Sequence, residues 1–394
     1  MYIDLTPELR ALRDELRTYF AKLMSPELVA ELSAGGEGGG PQYRRALKKM
    51  GRDGWLGIGW PKEYGGQDRT PLEQFLFADE VQRAGFPLPF LTLGTVGPTL
   101  MAYGTPEQKA EFLPRILAGD LHFAIGYSEP GAGTDLAGLT TTATQDGDEW
   151  VIQGQKTFTS LADFADYVWL AARTDPDAKK HRGISIFIVP TTSPGFRLTP
   201  IWTMADVRTN ATYYDAVRVP ARYLVGGLNN GWGLITNQLN HERVSLFPIG
   251  PFERLQDDVR RWAQKTILAD GRRVIDQPFV RRNLAKCFTG AEALRLMLWK
   301  QAWTLTHSRL HPADASTVKV YASEFFVEAY RALLEVIGAA GTINRRSPGA
   351  VLAGRLERMY RSALILTFGG GTNEVQRDII AAAGLGLPVA RRNQ

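Results

Sequence analysis

A glycine-rich string in the first half of the chain has the residue types of a ligand-contacting turn. It occupies residues 127–135, directly after an apolar run, and reads Tyr-Ser-Glu-Pro-Gly-Ala-Gly-Thr-Asp. Two glycines flanking an alanine let a ligand approach the backbone closely, and the nearby hydroxyl groups can donate hydrogen bonds. The Gly-x-Gly-x-x-Gly fingerprint of dinucleotide-binding folds is absent. The string therefore predicts either a ligand-contacting loop or a tight turn that ends a strand.

The hydrophobic pattern changes twice along the chain and predicts three regions. Helical spacing and capping signals such as Thr105-Pro106-Glu107 dominate up to about residue 120. Short β-prone runs separated by turn residues follow from Leu121, and the helical period returns after Gly231. We predict a mainly α fold with a central β-domain, divided into an N-terminal helical domain (1–120), a β-domain (121–230) and a C-terminal helical domain (231–394).

Composition limits the class of partner. The 394 residues include 46 Lys and Arg against 41 Asp and Glu, which gives a net charge of +5. The basic residues form scattered pairs and no nucleic-acid-binding signature accompanies them, so we expect no nucleic acid partner. A phosphate-rich small molecule such as a nucleotide or coenzyme A would use the same charge.

Cysteine content and hydropathy indicate the cellular compartment. The single cysteine, Cys287, excludes an internal disulfide framework. The first twenty residues alternate charged and apolar types, unlike a signal peptide, and no apolar run is long enough to span a bilayer. We therefore expect a cytoplasmic protein that does not insert into membranes.

Five segments in the right order make the chain resemble the acyl-CoA dehydrogenase family. They occupy residues 59–66, 127–135, 154–160, 217–220 and 368–377. The resemblance covers essentially the whole chain. It implies an N-terminal helical domain, a β-barrel-like central domain and a C-terminal four-helix bundle. It also implies FAD as cofactor, extended between subunits, and no metal.

The resemblance assigns residues of these motifs to the cofactor. Ser128 and Ser160 are expected to hydrogen-bond the flavin ring, and Phe158 to lie beside it. Thr372 and Glu374 stand where family members contact the adenosine half of FAD. The remaining motif residues expected at the cofactor are Tyr127, Gly133, Thr134 and Thr159, with Thr134 also lining the acyl-CoA channel.

The catalytic base is expected at an uncommon position. Removing a proton next to a thioester requires a base whose pKa is raised by desolvation and a donor that stabilises the enolate-like charge. Most family members carry the glutamate just before the Gly-Thr of the C-terminal signature, where this chain has Gly370. A minority carry it before an arginine on a C-domain helix, where this chain has Glu242 and Arg243. We expect Glu242 to be the base, Arg243 to orient the site, and the Gly370 N–H to hold the thioester oxygen. Surface charge is the alternative explanation of the Glu-Arg pair.

Two motifs that family members offer to a neighbour's FAD are altered. The Arg-x-x-Phe-Gly motif falls at 267–271 and contains Asp270, and the Gln-x-x-Gly-Gly motif falls at 335–339 and begins with Glu335. We expect these carboxylates to repel a pyrophosphate with no arginine to offset them. The chain would then need a homologous sister subunit that keeps both motifs. This resembles the heterotetrameric branch, with two copies of each chain, that dehydrogenates steroid side-chain CoA thioesters and passes electrons to an electron-transfer flavoprotein.

Two other functions remain open from the sequence. A scaffold subunit that only completes a partner's FAD site would explain the altered motifs, but it would not need Glu242 or the serines Ser128 and Ser160. An acyl-CoA oxidase would use oxygen directly, and the sequence does not separate it from a dehydrogenase.

Overall fold

The computed structural model describes residues 4–35, 38–242, 247–308 and 310–388. The chain divides into two compact units. The first unit comprises Met1–Phe20, Pro71–Phe86 and Arg243–Gln394, and the second comprises Ala21–Thr70 and Pro87–Glu242.

Helices dominate both ends of the chain. Within the described residues the α-helices are, in chain order, α1 (Pro7–Leu23), α2 (Pro26–Gly35), α3 (Pro41–Arg52), α4 (Pro71–Ala84), α5 (Gly97–Tyr103), α6 (Pro106–Leu117), α7 (Gly231–Glu242), α8 (Gly250–Lys265), α9 (Pro278–His307), α10 (Pro312–Ile337), α11 (Arg355–Ala363) and α12 (Asn373–Ile379).

The start of α6 shows how a local signal fixes an element. The Gln108 N–H donates to Thr105 Oγ1 at 3.2 Å, and the Thr105 N–H donates to Gln108 Oε1 at 3.0 Å. This reciprocal capping box satisfies two N–H groups that a helix start would leave unpaired. The helix predicted after Thr105 is confirmed.

The second unit is built around one eight-stranded sheet. Its strands are β1 (Phe123–Gly126), β2 (Thr142–Asp146), β3 (Glu149–Lys156), β4 (Tyr167–Arg173), β5 (Ile184–Pro190), β6 (Phe196–Trp202), β7 (Arg208–Pro220) and β8 (Leu224–Val225). Their order is β6-β7-β3-β2-β4-β5-β8, and β1 pairs in parallel with β4. The central strands β4 and β5 are almost wholly buried, as their continuous apolar sequences require. The prediction of a mainly α chain with a central β-domain is confirmed.

The first unit has its core between α8, α9 and α10. Phe252 of α8 is fully buried, and its ring lies 5.1 Å from Phe325, 5.8 Å from Phe326 and 5.5 Å from Tyr330 of α10, measured between centroids. Leu294 of α9 is fully buried in the same cluster. Aromatic contacts of this kind add to the stabilisation from burial. Among the helices of the described residues, none has the length and hydrophobicity needed to cross a membrane.

Candidate active-site segments

The segment that leaves β1 is held by the Tyr127 side chain and the Ser128 backbone. The Tyr127 hydroxyl donates to Gln238 Oε1 of α7, and Gln238 Nε2 donates to Thr99 Oγ1 at 3.0 Å. The Ser128 carbonyl accepts from the Thr157 N–H at 2.8 Å. The half-buried Ser128 side chain makes no hydrogen bond with the described part of the chain, so its hydroxyl group is available to a ligand.

The glycine string is both a tight turn and an open surface. Glu129 and Ala132 exchange backbone hydrogen bonds of 2.9 and 3.1 Å, which closes the turn. A methyl group placed on Gly131 or Gly133 would meet nothing within 4 Å, and Thr134 is exposed. The two readings of the string are therefore compatible, because the turn leaves its outer face free.

The segment that leaves β3 displays an aromatic ring on a strained backbone. Phe158 has φ +56° and Leu161 has φ +66°, which residues other than glycine rarely adopt. The Phe158 side chain is 64% exposed. Ser160 is half-buried, and its Oγ lies 3.1 Å from Thr209 Oγ1. Strain of this kind persists only where surrounding contacts enforce it, and it concentrates at functional sites.

Thr159 has a structural role in the turn, and its predicted contact with the cofactor stays a prediction. Its side chain is fully buried, and its Oγ1 lies 3.1 Å from Thr212 Oγ1. Its N–H donates to the Asn210 carbonyl at 2.9 Å, and its carbonyl accepts from Asn210 Nδ2 at 3.2 Å. Both backbone groups and the hydroxyl are therefore used inside the protein, and Thr159 supports the turn that carries Phe158 and Ser160.

A buried ion pair joins the two segments, and the sequence motifs did not indicate it. Lys156 is 0% exposed and Glu129 is 6% exposed. Lys156 Nζ donates to Glu129 Oε1 at 2.8 Å and to the Tyr127 carbonyl at 3.1 Å. The Glu129 carboxylate also accepts from the N–H and Oγ1 of Thr140, both at 2.7 Å, and from the Thr141 N–H at 2.8 Å. No spacing rule links a lysine to a glutamate 27 residues earlier, so only the folded chain shows the pair.

The surroundings of the pair lower the pKa of both groups. Burial alone would raise the pKa of the Glu129 carboxyl group, but the Lys156 ammonium group and the hydrogen bonds outweigh burial and lower this pKa to about 2. Burial lowers the pKa of Lys156 to about 8, although Glu129 opposes the change. Glu129 is therefore a carboxylate at neutral pH.

The helix predicted to carry the base ends at that residue. Helix α7 spans Gly231–Glu242, and its buried face includes Leu234, Ile235 and Gln238. Residue 242 follows Gln238 by one helical turn, about 6 Å along the axis. The Glu242 side chain and the whole of Arg243 lie outside the described residues, so the roles predicted for them stay predictions.

The C-terminal signature forms a turn with an available donor. Gly370 and Gly371 have φ +68° and +97°, and Gly370 is exposed. Within the described residues the Gly370 N–H donates no hydrogen bond. Thr372 caps α12 by accepting from the Val375 N–H at 3.3 Å. The Glu374 carboxylate is exposed, and its pKa is lowered by its own backbone N–H and by Thr372.

This turn is anchored to α10 in the same unit. Lys319 Nζ donates to Asn373 Oδ1 at 2.7 Å, and Ser316 Oγ donates to Gln376 Oε1 at 2.9 Å. Both pairs are buried. The exposed Gly370 and Glu374 and the half-buried Thr372 therefore stand on a rigid base, as a ligand-contacting turn requires.

The carboxylate in each of the two altered motifs is paired with an arginine. Asp270 Oδ2 accepts from Arg272 Nε at 2.8 Å and Nη2 at 2.6 Å. Glu335 accepts from Arg331 Nη1 at 2.8 Å and from Asn283 Nδ2 at 2.9 Å. The expectation that no arginine offsets these carboxylates is wrong, because each has one. The loss of the motif arginine, phenylalanine and glutamine remains.

Family models match almost the whole chain. The N-terminal domain model of acyl-CoA dehydrogenases matches residues 6–120, the middle domain model matches residues 124–217, and the C-terminal domain model matches residues 229–385.

Individual proteins similar to this chain support the same family assignment. The acyl-CoA dehydrogenase FadE26 of Mycobacterium tuberculosis is 57% identical over 400 residues and both proteins are covered to 100%. A chain in the crystal structure of the ChsE4-ChsE5 complex from Mycobacterium tuberculosis is 58% identical, with a TM-score of 0.93, covering 99% of this chain and 100% of that one. A chain of the Tcur3481-Tcur3483 steroid ACAD structure is 52% identical, with the same TM-score and coverage. The chain therefore belongs to the acyl-CoA dehydrogenase family and is an oxidoreductase of that class.

Proposed function

We propose that this chain is the base-carrying subunit of a heterotetrameric, FAD-dependent dehydrogenase that forms an α,β-double bond in a bulky acyl-CoA thioester, a steroid side-chain CoA ester in particular. The observation that carries the proposal is the relocation of the glutamate. The signature turn has Gly370 where most family members have the base, and α7 ends in Glu242.

The residues of the second unit fit a flavin ring. Ser128 offers a hydroxyl group with no hydrogen-bond partner in the described part of the chain, on the segment that includes the glycine turn, and Phe158 presents its ring to solvent. Ser160 supplies a second hydroxyl group on the neighbouring segment. A planar heterocycle with polar edges uses such groups, one for stacking and two for hydrogen bonds. In the first unit, Thr372 and Glu374 would hold the adenosine half. The chemistry that FAD supplies when bound is acceptance of a hydride from the β-carbon.

The proton chemistry belongs to the chain itself. The Glu242 carboxylate takes the α-proton, so the α C–H bond breaks and its electron pair moves into the forming double bond. The exposed Gly370 N–H donates to the thioester oxygen, where negative charge grows during proton removal. A donor placed at that oxygen lowers the barrier because it stabilises the transition state more than the ground state. Arg243 orients the site.

The proposal of a sister subunit rests on two supports. The solved structures with the similar chains are described as ChsE4-ChsE5 and Tcur3481-Tcur3483, which are pairs of different proteins. In this chain the motif arginine, phenylalanine and glutamine are replaced at 267–271 and 335–339. A sister chain that keeps those residues would complete the FAD site, giving two FAD per heterotetramer. A steroidal acyl group is proposed because the similar Tcur3481-Tcur3483 protein is a steroid ACAD. The electron acceptor proposed is an electron-transfer flavoprotein, and the compartment is the cytoplasm.

The test compares the chain alone with the chain co-expressed with its sister subunit. We expect FAD absorbance only in the complex, at two FAD per four chains, and bleaching on addition of a steroid side-chain acyl-CoA. Glu242→Gln should keep the FAD and lose the bleaching. Glu328→Gln on the exposed face of α10 is the matched control and should behave as the wild type. One FAD per chain in a stable homotetramer would refute the heteromer, and turnover by the Glu242→Gln complex would refute the base.

A scaffold subunit is the second candidate function, favoured by the altered motifs. It predicts that Glu242→Gln leaves the turnover of the complex unchanged, because the base would then belong to the sister chain. Reoxidation of the reduced complex in air separates a dehydrogenase, which reoxidises slowly, from an oxidase.

A further inference from the structure

The two segments assigned to the flavin ring are joined through backbone carbonyl groups and a buried ion pair. Lys156 Nζ donates to the Tyr127 carbonyl and to Glu129, and the Thr157 N–H donates to the Ser128 carbonyl. Three consecutive residues of the first segment are thus held by two consecutive residues of the second.

The Glu129 carboxylate also connects the two segments to the residues that lead into β2. Glu129 accepts three hydrogen bonds from Thr140 and Thr141, the two residues directly before β2. All four carboxylate contacts, including the one from Lys156, are 2.7–2.8 Å long. Charge-assisted bonds of this length are strong and directional. The position of Glu129 therefore fixes the distance between the Ser128 turn and the Phe158 turn.

Stability alone does not explain a buried ion pair. Removing two charges from water is costly, and replacing a buried pair by uncharged residues of similar volume is often neutral or stabilising. Lys156 is fully buried on β3, whose buried positions Trp150 and Ile152 are apolar. An apolar residue at 156 would suit the core of the sheet equally well. What it could not do is bind the Tyr127 carbonyl and Glu129 at once.

We propose that Glu129 and Lys156 are positioning residues that set the Ser128 hydroxyl group and the Phe158–Ser160 turn at the spacing the flavin ring requires. This inference rests on the proposed function, because it concerns the same site. Neither residue touches the substrate or the cofactor in this scheme. Their effect is on geometry, and a misplacement of about 1 Å in a catalytic site can lower the rate about 100-fold.

The test uses the heteromeric complex with Glu129→Gln/Lys156→Met, which removes both charges and keeps the volumes. We expect the double variant to fold and retain FAD, with an altered visible flavin spectrum and kcat lowered at least about 10-fold while KM changes less. Lys180→Met is the matched control, because it removes an exposed ion pair (2.7 Å) between Lys180 of the β4–β5 loop and Asp135 of the loop that carries Glu129, and it should leave the spectrum and kcat unchanged.

The single variant Glu129→Asp covers the case in which the double variant does not fold. It keeps the charge and withdraws the carboxylate by one methylene group, and we expect the same spectral change with a smaller loss of kcat. A folded variant of either kind with the wild-type spectrum and kcat would overturn the inference. Failure of the wild-type complex to bind FAD or to bleach would instead overturn the proposed function, so the two failures are distinguishable.

Discussion

Asp79 on α4 is a buried carboxyl group whose titration should be visible in the stability of the chain. Its Oδ1 accepts from the Gly250 N–H at 2.7 Å, at the first residue of α8. Burial raises its pKa from 3.8 to about 7, and the nearby Glu253 and Glu80 add to the rise, while the Gly250 N–H and Arg83 oppose it. The folded chain therefore holds a proton that the unfolded chain has released over the range between these two values.

The sign and size of the effect follow from that difference. Because the folded state binds more protons than the unfolded state, the free energy of unfolding falls as pH rises through this window. Each pH unit between 5 and about 7 changes it by about 1.4 kcal/mol, so the loss from pH 5 to pH 8 is about 3 kcal/mol. Asp79→Asn keeps a carbonyl oxygen for the Gly250 N–H and removes the titration. We expect the variant to gain about 3 kcal/mol relative to wild type between pH 5 and pH 8.

The assay is urea unfolding of wild type and Asp79→Asn at pH 5, 6, 7 and 8, and the quantity of interest is the difference between the two chains at each pH. Asp257→Asn on α8 is the control for removal of a carboxylate at a 46% exposed position, and it should not reproduce the gain expected for Asp79→Asn. A difference between wild type and Asp79→Asn that is constant from pH 5 to pH 8 would refute the reasoning, since it would mean that Asp79 is already ionised at pH 5.

Two further predictions separate binding from stability. Phe158→Ala should weaken FAD retention in the complex while changing the free energy of unfolding by no more than about 0.5 kcal/mol, because the ring is 64% exposed. FAD release on dilution and urea unfolding measure the two quantities, and a large stability loss would show that the ring packs inside the protein. Leu294→Ala should lower the free energy of unfolding by about 2–5 kcal/mol, because the side chain is fully buried in the core of the first unit. Leu296→Ala on the same helix is the control at a 45% exposed position, and equal losses from both variants would contradict the assignment of the core.

The parts of the fold that sequence reasoning reached are those fixed by local pattern. Helix starts such as Thr105 carry their own hydrogen-bonding signals, and the unbroken apolar runs of β4 and β5 identify buried strands. The order in which the strands pair could not be predicted from the sequence. Parallel pairing of β1 with β4 joins residues more than forty positions apart, and no local pattern records such a choice.

The candidate site likewise has features that the sequence indicated and features that only the folded chain shows. Motifs predicted Ser128 and Ser160 as flavin contacts, because glycine turns and hydroxyl groups are visible in a linear sequence, and these roles stay predictions. The motifs also assigned Thr159 to the cofactor, although adjacent residues on a turn face different ways and Thr159 points into the protein towards Thr212. The ion pair of Glu129 with Lys156 and the pairing of Asp270 with Arg272 depend on where side chains end, which a motif does not encode.

The backbone at Gly370 supports the proposal that the base lies elsewhere in this chain. With φ +68°, the position is in the left-handed region, which glycine adopts freely and which costs other residues about 1–2 kcal/mol. A glutamate at this position would have to hold its carboxylate on a strained backbone in an exposed turn. The same conformation leaves the Gly370 N–H unpaired among the described residues, so it suits a donor to a thioester oxygen better than a support for a base. The conformation of Gly370 therefore agrees with the proposed division of roles, in which the Gly370 N–H donates to the thioester oxygen and Glu242 of α7 removes the proton.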